Sequence, residues 1–213
     1  MLLLDLTRVR FLDRLLRIAA ATAVLAAGAN RPLEPIRYAT NIEAMGGVYS
    51  LVLYGPDRAR LEAAATSAFE EIQRLDQMLS NYKPSSEWSE INRQAGEHAV
   101  AVSDESFALL RDCLEYSRRS EGAFDITVGP LMRVWGFYKG SGRLPHRAEV
   151  RVALENIGWQ RVKLDAAAKT IRFERGGMEI DPGGIGKGYA VDRAVAVLRE
   201  AGITSGLISA ATS

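Results

Sequence analysis

The sequence predicts a mixed α/β fold, an antiparallel sheet with long helices packed across it. Three observations lead there. Residues 57–79 carry apolar side chains at helical spacing. The segments 48–54, 161–164 and 170–173 carry the β-branched and alternating residues of strands. An apolar run, 178–180, ends in an acid and a glycine turn that opens another helix. With 213 residues, 47% of them hydrophobic and 25% charged, the chain has the composition of a globular protein and the length for one good core.

Arg8, Arg10, Arg14 and Arg17 precede the apolar run Ile18–Ala27, and Ala27-Gly28-Ala29 fits a small-x-small cleavage site. Residues 1–29 therefore read as an export leader and 30–213 as the mature domain, expected in a periplasm or on the outer face of an inner membrane. The run falls short of the ~20 residues that span a bilayer. The other reading is an amphipathic N-terminal helix that stays on the protein and associates with a membrane. No cysteine lies near the cleavage point, which excludes a lipid anchored there.

Val48–Tyr54 is a strand closed by Gly55-Pro56, and Met45-Gly46-Gly47 before it is a flexible approach. From Asp57 to Leu79 a helix is expected, with Leu61, Ala65, Ala68, Ile72, Leu75 and Leu79 forming its inner stripe. It breaks at Ser80-Asn81-Tyr82-Lys83-Pro84, after which Ser85 or Ser86 can cap a short helix through Asn92. Ser103 and Asp104 cap the next helix, with Phe107, Leu110 and Leu114 inward and Gly122 beyond its end. A further short helix over 148–157, a hairpin turning at 165–169, and a strand over 204–209 complete the reading.

Lys and Arg number 27 against 26 acids, so the net charge of +1 gives no electrostatic case for nucleic acid. A single cysteine, Cys113, excludes an internal disulfide and a multi-cysteine metal site, and its helical setting makes it a small buried hydrophobe. His98 and His146 lack ligand-spaced partners and read as surface residues.

The chemistry concentrates in Ile180-Asp181-Pro182-Gly183-Gly184-Ile185-Gly186-Lys187-Gly188-Tyr189. Glycines there let the backbone approach a ligand or take positive φ. The helix that follows, with Val191, Ala194, Val195 and Leu198 on one face, opens with unpaired N–H groups that suit a phosphate, and Lys187 adds a full charge. Two familiar phosphate loops fail. A P-loop needs glycine where Asp181 stands and a hydroxyl where Gly188 stands, and a dinucleotide fingerprint from Gly184 needs a small residue at Tyr189. A glycine-rich turn that only packs remains the plain alternative. Upstream, Gly122-Ala123-Phe124-Asp125-Ile126-Thr127-Val128-Gly129-Pro130-Leu131, leading to Trp135-Gly136-Phe137, sets an acid and a hydroxyl among small residues and aromatics, with room for a flat, polar-edged ligand.

Met45-Gly46-Gly47, Ser80-Asn81-Tyr82 with Ser86-Glu87 and Ile91-Asn92, the 122–137 stretch, and Asp181 to Asp192 together, in this order, resemble the ApbE family of FAD:protein FMN transferases. The resemblance implies a T-fold-like architecture. It also implies Mg²⁺-dependent cleavage of the FAD pyrophosphate, with FMN joined through a phosphoester to a Thr or Ser hydroxyl of a target protein and AMP released. By position, Met45, Tyr82, Ala123, Phe124, Asp125, Asp181 and Lys187 fall on FAD contacts, and Gly184 on a carbonyl ligand of the metal. Members of the family carry a downstream Gly-Gly segment, then a His-containing segment and an acid-plus-Thr metal motif. This sequence ends before the last two and has Ser209-Ala210-Ala211-Thr212-Ser213 at the first, so a missing C-terminal part is expected. A flavin-holding protein of the same fold without transfer activity is the alternative function.

Overall fold

The computed structural model describes residues 34–140 and 142–211, so the leader expected over 1–29 lies outside the described residues. Two three-stranded sheets organise the described residues. The first has the order β1-β2-β6 and the second β3-β5-β4. The strands of the first are β1 (Ile36–Ala44), β2 (Gly47–Gly55) and β6 (Ser205–Ala211). Those of the second are β3 (Val100–Ala101), β4 (Val162–Asp165) and β5 (Thr170–Phe173). Antiparallel pairing aligns Leu51 with Ile208 between β2 and β6, and Leu164 with Ile171 between β4 and β5.

β1 is absent from the sequence reading, and Met45-Gly46 is not the flexible approach expected there. The two residues form the tight turn between β1 and β2, both at positive φ (51° and 68°), the combination that a two-residue hairpin loop requires. The Tyr49 hydroxyl donates to Met45 Sδ at 3.1 Å and helps fix the turn.

Helix α1 (Arg58–Leu79) starts where Asp57 Oδ1 accepts the N–H groups of Ala59 (2.9 Å) and Arg60 (3.3 Å). All six residues of the expected inner stripe are buried, joined by Ala64 and Phe69. That stripe lies on Tyr49, Leu51 and Leu53 of β2 and beside Ala190, Ala194 and Leu198 of α6 (Gly186–Glu200). Small side chains on both helices permit their close approach. The buried face of α6 is thus centred on Ala190, Ala194 and Leu198, with Val191 and Val195 only half-buried at its edge.

A second core forms among α2 (Glu87–Gln94), α3 (Asp104–Arg119) and the β3-β5-β4 sheet, with Trp88, Ile91, Leu110, Cys113, Ile126, Phe173, Met178 and Ile180 inside it. Ser86 caps α2 by accepting the Ser89 N–H at 3.0 Å, and Ser103 caps α3 by accepting that of Ser106 at 3.2 Å. Two short helices, α4 (Gly129–Val134) and α5 (Arg147–Glu155), pack on each other outside this core. α4 is not foreseen in the sequence reading.

The strand expected over 178–180 is not one. Met178 and Ile180 are buried as alternation requires, but the segment makes only one isolated parallel bridge, Val128 with Glu179. The Glu179 carbonyl accepts the Gly129 N–H at 3.2 Å, and the groups of Ile180 turn to a side chain. Asn92 Oδ1 accepts the Ile180 N–H at 2.7 Å and Asn92 Nδ2 donates to the Ile180 carbonyl at 3.0 Å, so a side-chain amide satisfies groups that a neighbouring strand would otherwise take.

Candidate functional site

From Ile180 the chain turns through a single 3₁₀ turn, Pro182–Gly184, into α6. Asp181 caps the turn, its Oδ1 accepting the Gly183 N–H at 2.7 Å, and Pro182 follows where the N–H would go unused. A β-carbon on Gly183 would lie 2.6 Å from that same Oδ1, so the cap needs glycine. One on Gly184 would lie 3.2 Å from the Phe124 ring. None of Gly183, Gly184, Gly186 and Gly188 has positive φ, so the glycines serve close approach and not a left-handed backbone. The first backbone bond of α6 runs from Tyr189 N to Ile185 O at 3.0 Å, which places the N–H groups of Gly186, Lys187 and Gly188 ahead of the helical ladder.

Asp181 is 7% exposed and held from three segments. Its Oδ2 accepts from the Tyr138 hydroxyl at 2.6 Å and, weakly, from Asn81 Nδ2 at 3.4 Å. Asn81 Nδ2 also donates to the Ile180 carbonyl at 2.9 Å, and Asn81 Oδ1 accepts from Asn92 at 3.2 Å. Tyr138 is closed in by the Tyr82 ring in a T-shaped pair, 5.6 Å between centroids at 88°, and by the Arg133 guanidinium 5.4 Å from its centroid. Burial, and then the neighbouring Asp181 carboxylate, push the Tyr138 phenol far above its ordinary value, so it stays a donor.

Of these residues Asn81, Tyr82 and Asp181 line a cleft of about 260 Å³, together with Met45, Asp76, Gly186 and Lys187 among others. Four of the seven expected FAD contacts, Met45, Tyr82, Asp181 and Lys187, therefore meet in one cleft although they come from three separate stretches. Tyr82 is 64% exposed at the rim. Lys187 is half-buried and has no hydrogen bond or ion pair among the described residues, whereas Lys83 is tied to Asp76 at 2.5 Å. The other three stand apart. Phe124 packs against the back of Gly184 and into the second core. Ala123 is exposed and does not line the cleft.

Asp125 also lies outside the lining, for a physical reason: both carboxylate oxygens are engaged internally. Oδ1 accepts from Thr127 N (2.8 Å) and Thr127 Oγ1 (2.7 Å), and Oδ2 from the Trp159 N–H (3.2 Å). The same segment reaches the site through its backbone, where the Asp181 N–H donates to the Ile126 carbonyl at 2.8 Å.

Sequence reasoning overlooks Asp76 and Tyr138. The signal for Asp76 is an acid on the inner side of α1, between Leu75 and Leu79; that for Tyr138 is the extension of the aromatic run at Trp135 and Phe137. For a hard cation, the expected Gly184 offers a carbonyl, but no group of three or more His, Cys, Asp or Glu side chains converges among the described residues. These residues do not by themselves compose a magnesium site.

Sheets, helices and glycine turn together define a mixed α/β domain, and known proteins share this fold. The crystal structure of the ApbE protein from Thermotoga maritima superposes with a TM-score of 0.76 at 27% identity, over 82% of this chain and 57% of that one. That of the flavinyl transferase ApbE from Pseudomonas stutzeri, in its apo form, gives 0.74 at 26% identity, over 84% and 57%. In sequence, an FAD:protein FMN transferase of Klebsiella pneumoniae is 33% identical over 174 residues, 81% of this chain and 53% of the relative. The model of the ApbE family matches residues 45–213, and the chain belongs to that family. It spans about half the length of the curated relatives it matches.

Proposed function

We propose that this protein is an FAD:protein FMN transferase. The acceptor is a Thr or Ser hydroxyl of a target protein. Its oxygen bonds to the flavin-side phosphorus of FAD, the bond from that phosphorus to the bridging oxygen breaks, AMP departs, and the hydroxyl proton is released. One observation carries the reading: Met45, Tyr82 and the pair Asp181 and Lys187, from three distant stretches, line one cleft over the glycine turn and the start of α6. Lys187 and the N–H groups that open α6 would hold the diphosphate, Asp181 would accept from a donor of the nucleotide, and Tyr82 offers an exposed ring edge. The name carried by the Klebsiella relative supports the same chemistry.

Magnesium would spread the diphosphate charge when bound. Since the described residues do not complete its ligand set, no step is assigned to it. Export belongs to the same proposal and rests on the arginine-flanked apolar run at residues 8–29. Among the described residues no helix is long and apolar enough to cross a membrane.

The full-length protein given FAD, Mg²⁺ and a Thr-bearing target is expected to quench flavin fluorescence on binding and to release AMP as the target turns yellow. FAD held intact, with no AMP formed, would establish the flavin-holding alternative. No flavin bound at all would end both.

A further inference from the structure

We propose that Tyr138 is a positioning residue for the nucleotide cleft, acting through Asp181. The inference rests on the flavin reading above and adds a residue that neither the motif nor the cleft lining names. Asp181 is 7% exposed, and a carboxylate so buried takes whatever orientation its donors impose. Gly183 N–H fixes Oδ1 at 2.7 Å and Tyr138 fixes Oδ2 at 2.6 Å, while Asn81 adds only a long contact of 3.4 Å. Between them these bonds set the plane of the carboxylate, leaving its remaining lone pairs for the cleft that Asp181 lines.

The setting of Tyr138 is built for that task. Its ring forms a T-shaped pair with Tyr82, and Arg133 lies over it while bound to Glu179 at 2.8 Å. The chain reaches this position through Gly136 at φ 75°, a left-handed turn that brings the segment after α4 back toward the cleft. A phenol packed only for bulk would need no such bond. Here the hydroxyl carries the shortest contact that Asp181 makes.

The test is a double-substitution cycle on the full-length protein, reading FAD affinity by fluorescence and folding by thermal melting. The unsubstituted protein is measured first, and if it binds no flavin the functional reading has failed, not the positioning argument alone. If it does bind, Tyr138→Phe is expected to weaken FAD by about tenfold, the loss of one hydrogen bond to a charged group. In an Asp181→Asn background the same change should have no further effect. Unchanged affinity in Tyr138→Phe, or an equal loss in both backgrounds, overturns the proposal. Where Asp181→Asn itself binds no FAD, the melting temperatures supply the cycle: additive shifts overturn the link and non-additive ones support it. Should Tyr138→Phe fail to fold, Tyr138→Phe/Asp181→Asn decides. Folding recovered by neutralising the carboxylate supports the coupling, and no recovery overturns it.

Discussion

Asn92 pairs with Ile180 as a neighbouring strand would, accepting its N–H at 2.7 Å and donating to its carbonyl at 3.0 Å. The same amide donates to Asn81 at 3.2 Å, so one side chain from α2 fixes the approach to the glycine turn and one of the residues around Asp181.

Asn92→Ala would remove all three bonds and leave the buried Ile180 N–H without a partner, while Asn81 still donates to the Ile180 carbonyl. A loss of about 2–3 kcal/mol is expected, at about 1 kcal/mol per bond, read from urea unfolding. FAD affinity should fall with it, because the turn loses its anchor. Asn92→Asp keeps only the acceptor and should fall between the two.

Gly129 packs directly on Glu179, where a β-carbon would meet Glu179 Cβ at 2.6 Å and its carbonyl oxygen at 2.7 Å. The Gly129 N–H also donates to that carbonyl at 3.2 Å. Since the obstacle is backbone, Gly129→Ala should cost about 2 kcal/mol or more. A lowered urea midpoint with an unchanged slope is the expected result.

Lys187 differs from both in lining the cleft without a bond to the rest of the described chain. Lys187→Met should therefore leave the melting temperature within about 2 °C and weaken FAD by about tenfold. The salt dependence of binding should flatten, since a screened charge has been removed. Isothermal titration at two ionic strengths measures both.

Together with Tyr138, whose phenol is raised further still, Cys113, Tyr49 and the half-buried Tyr189 set the response to alkali. Burial, and then Asp112, push the Cys113 thiol from its ordinary 9.0 up to about 12. Tyr49 rises from 10.0 to about 12 through burial and Asp76, and Tyr189 likewise through burial and its bond to Glu105. Each keeps its proton in the folded state after the unfolded chain has lost it, so their contribution is complete below about pH 9 and declines toward about pH 12. Unfolding followed from about pH 8 to about pH 11 should show stability level and then falling. Cys113→Ala should remove the earliest part of the fall.

Much of this was legible in the sequence because it depends on local pattern. The stripe of α1, the caps at Ser86 and Ser103, and the turn at Asp165 are written in neighbouring residues. β1 escaped because its inner face is only half-buried, with Tyr38, Thr40 and Ile42 in place of a clean apolar series. The 178–180 segment misled because alternation reports burial and not which group takes the hydrogen bonds. Here a side chain 88 positions away takes them. Tyr138 and Asp125 show the same limit from opposite sides. One is bonded to Asp181 and the other turned inward to Thr127 and Trp159, and only tertiary folding decides which.

The long helix α1 begins in the core beneath β2 and ends, at Leu79, in the core that holds Trp88 and Phe173. Met45, Met78 and Tyr189 likewise touch both. No seam separates the two halves along which one could melt while the other survived. Heat should therefore dismantle them in a single calorimetric peak, and the cleft, seated where they join, should vanish at that same temperature and not before it.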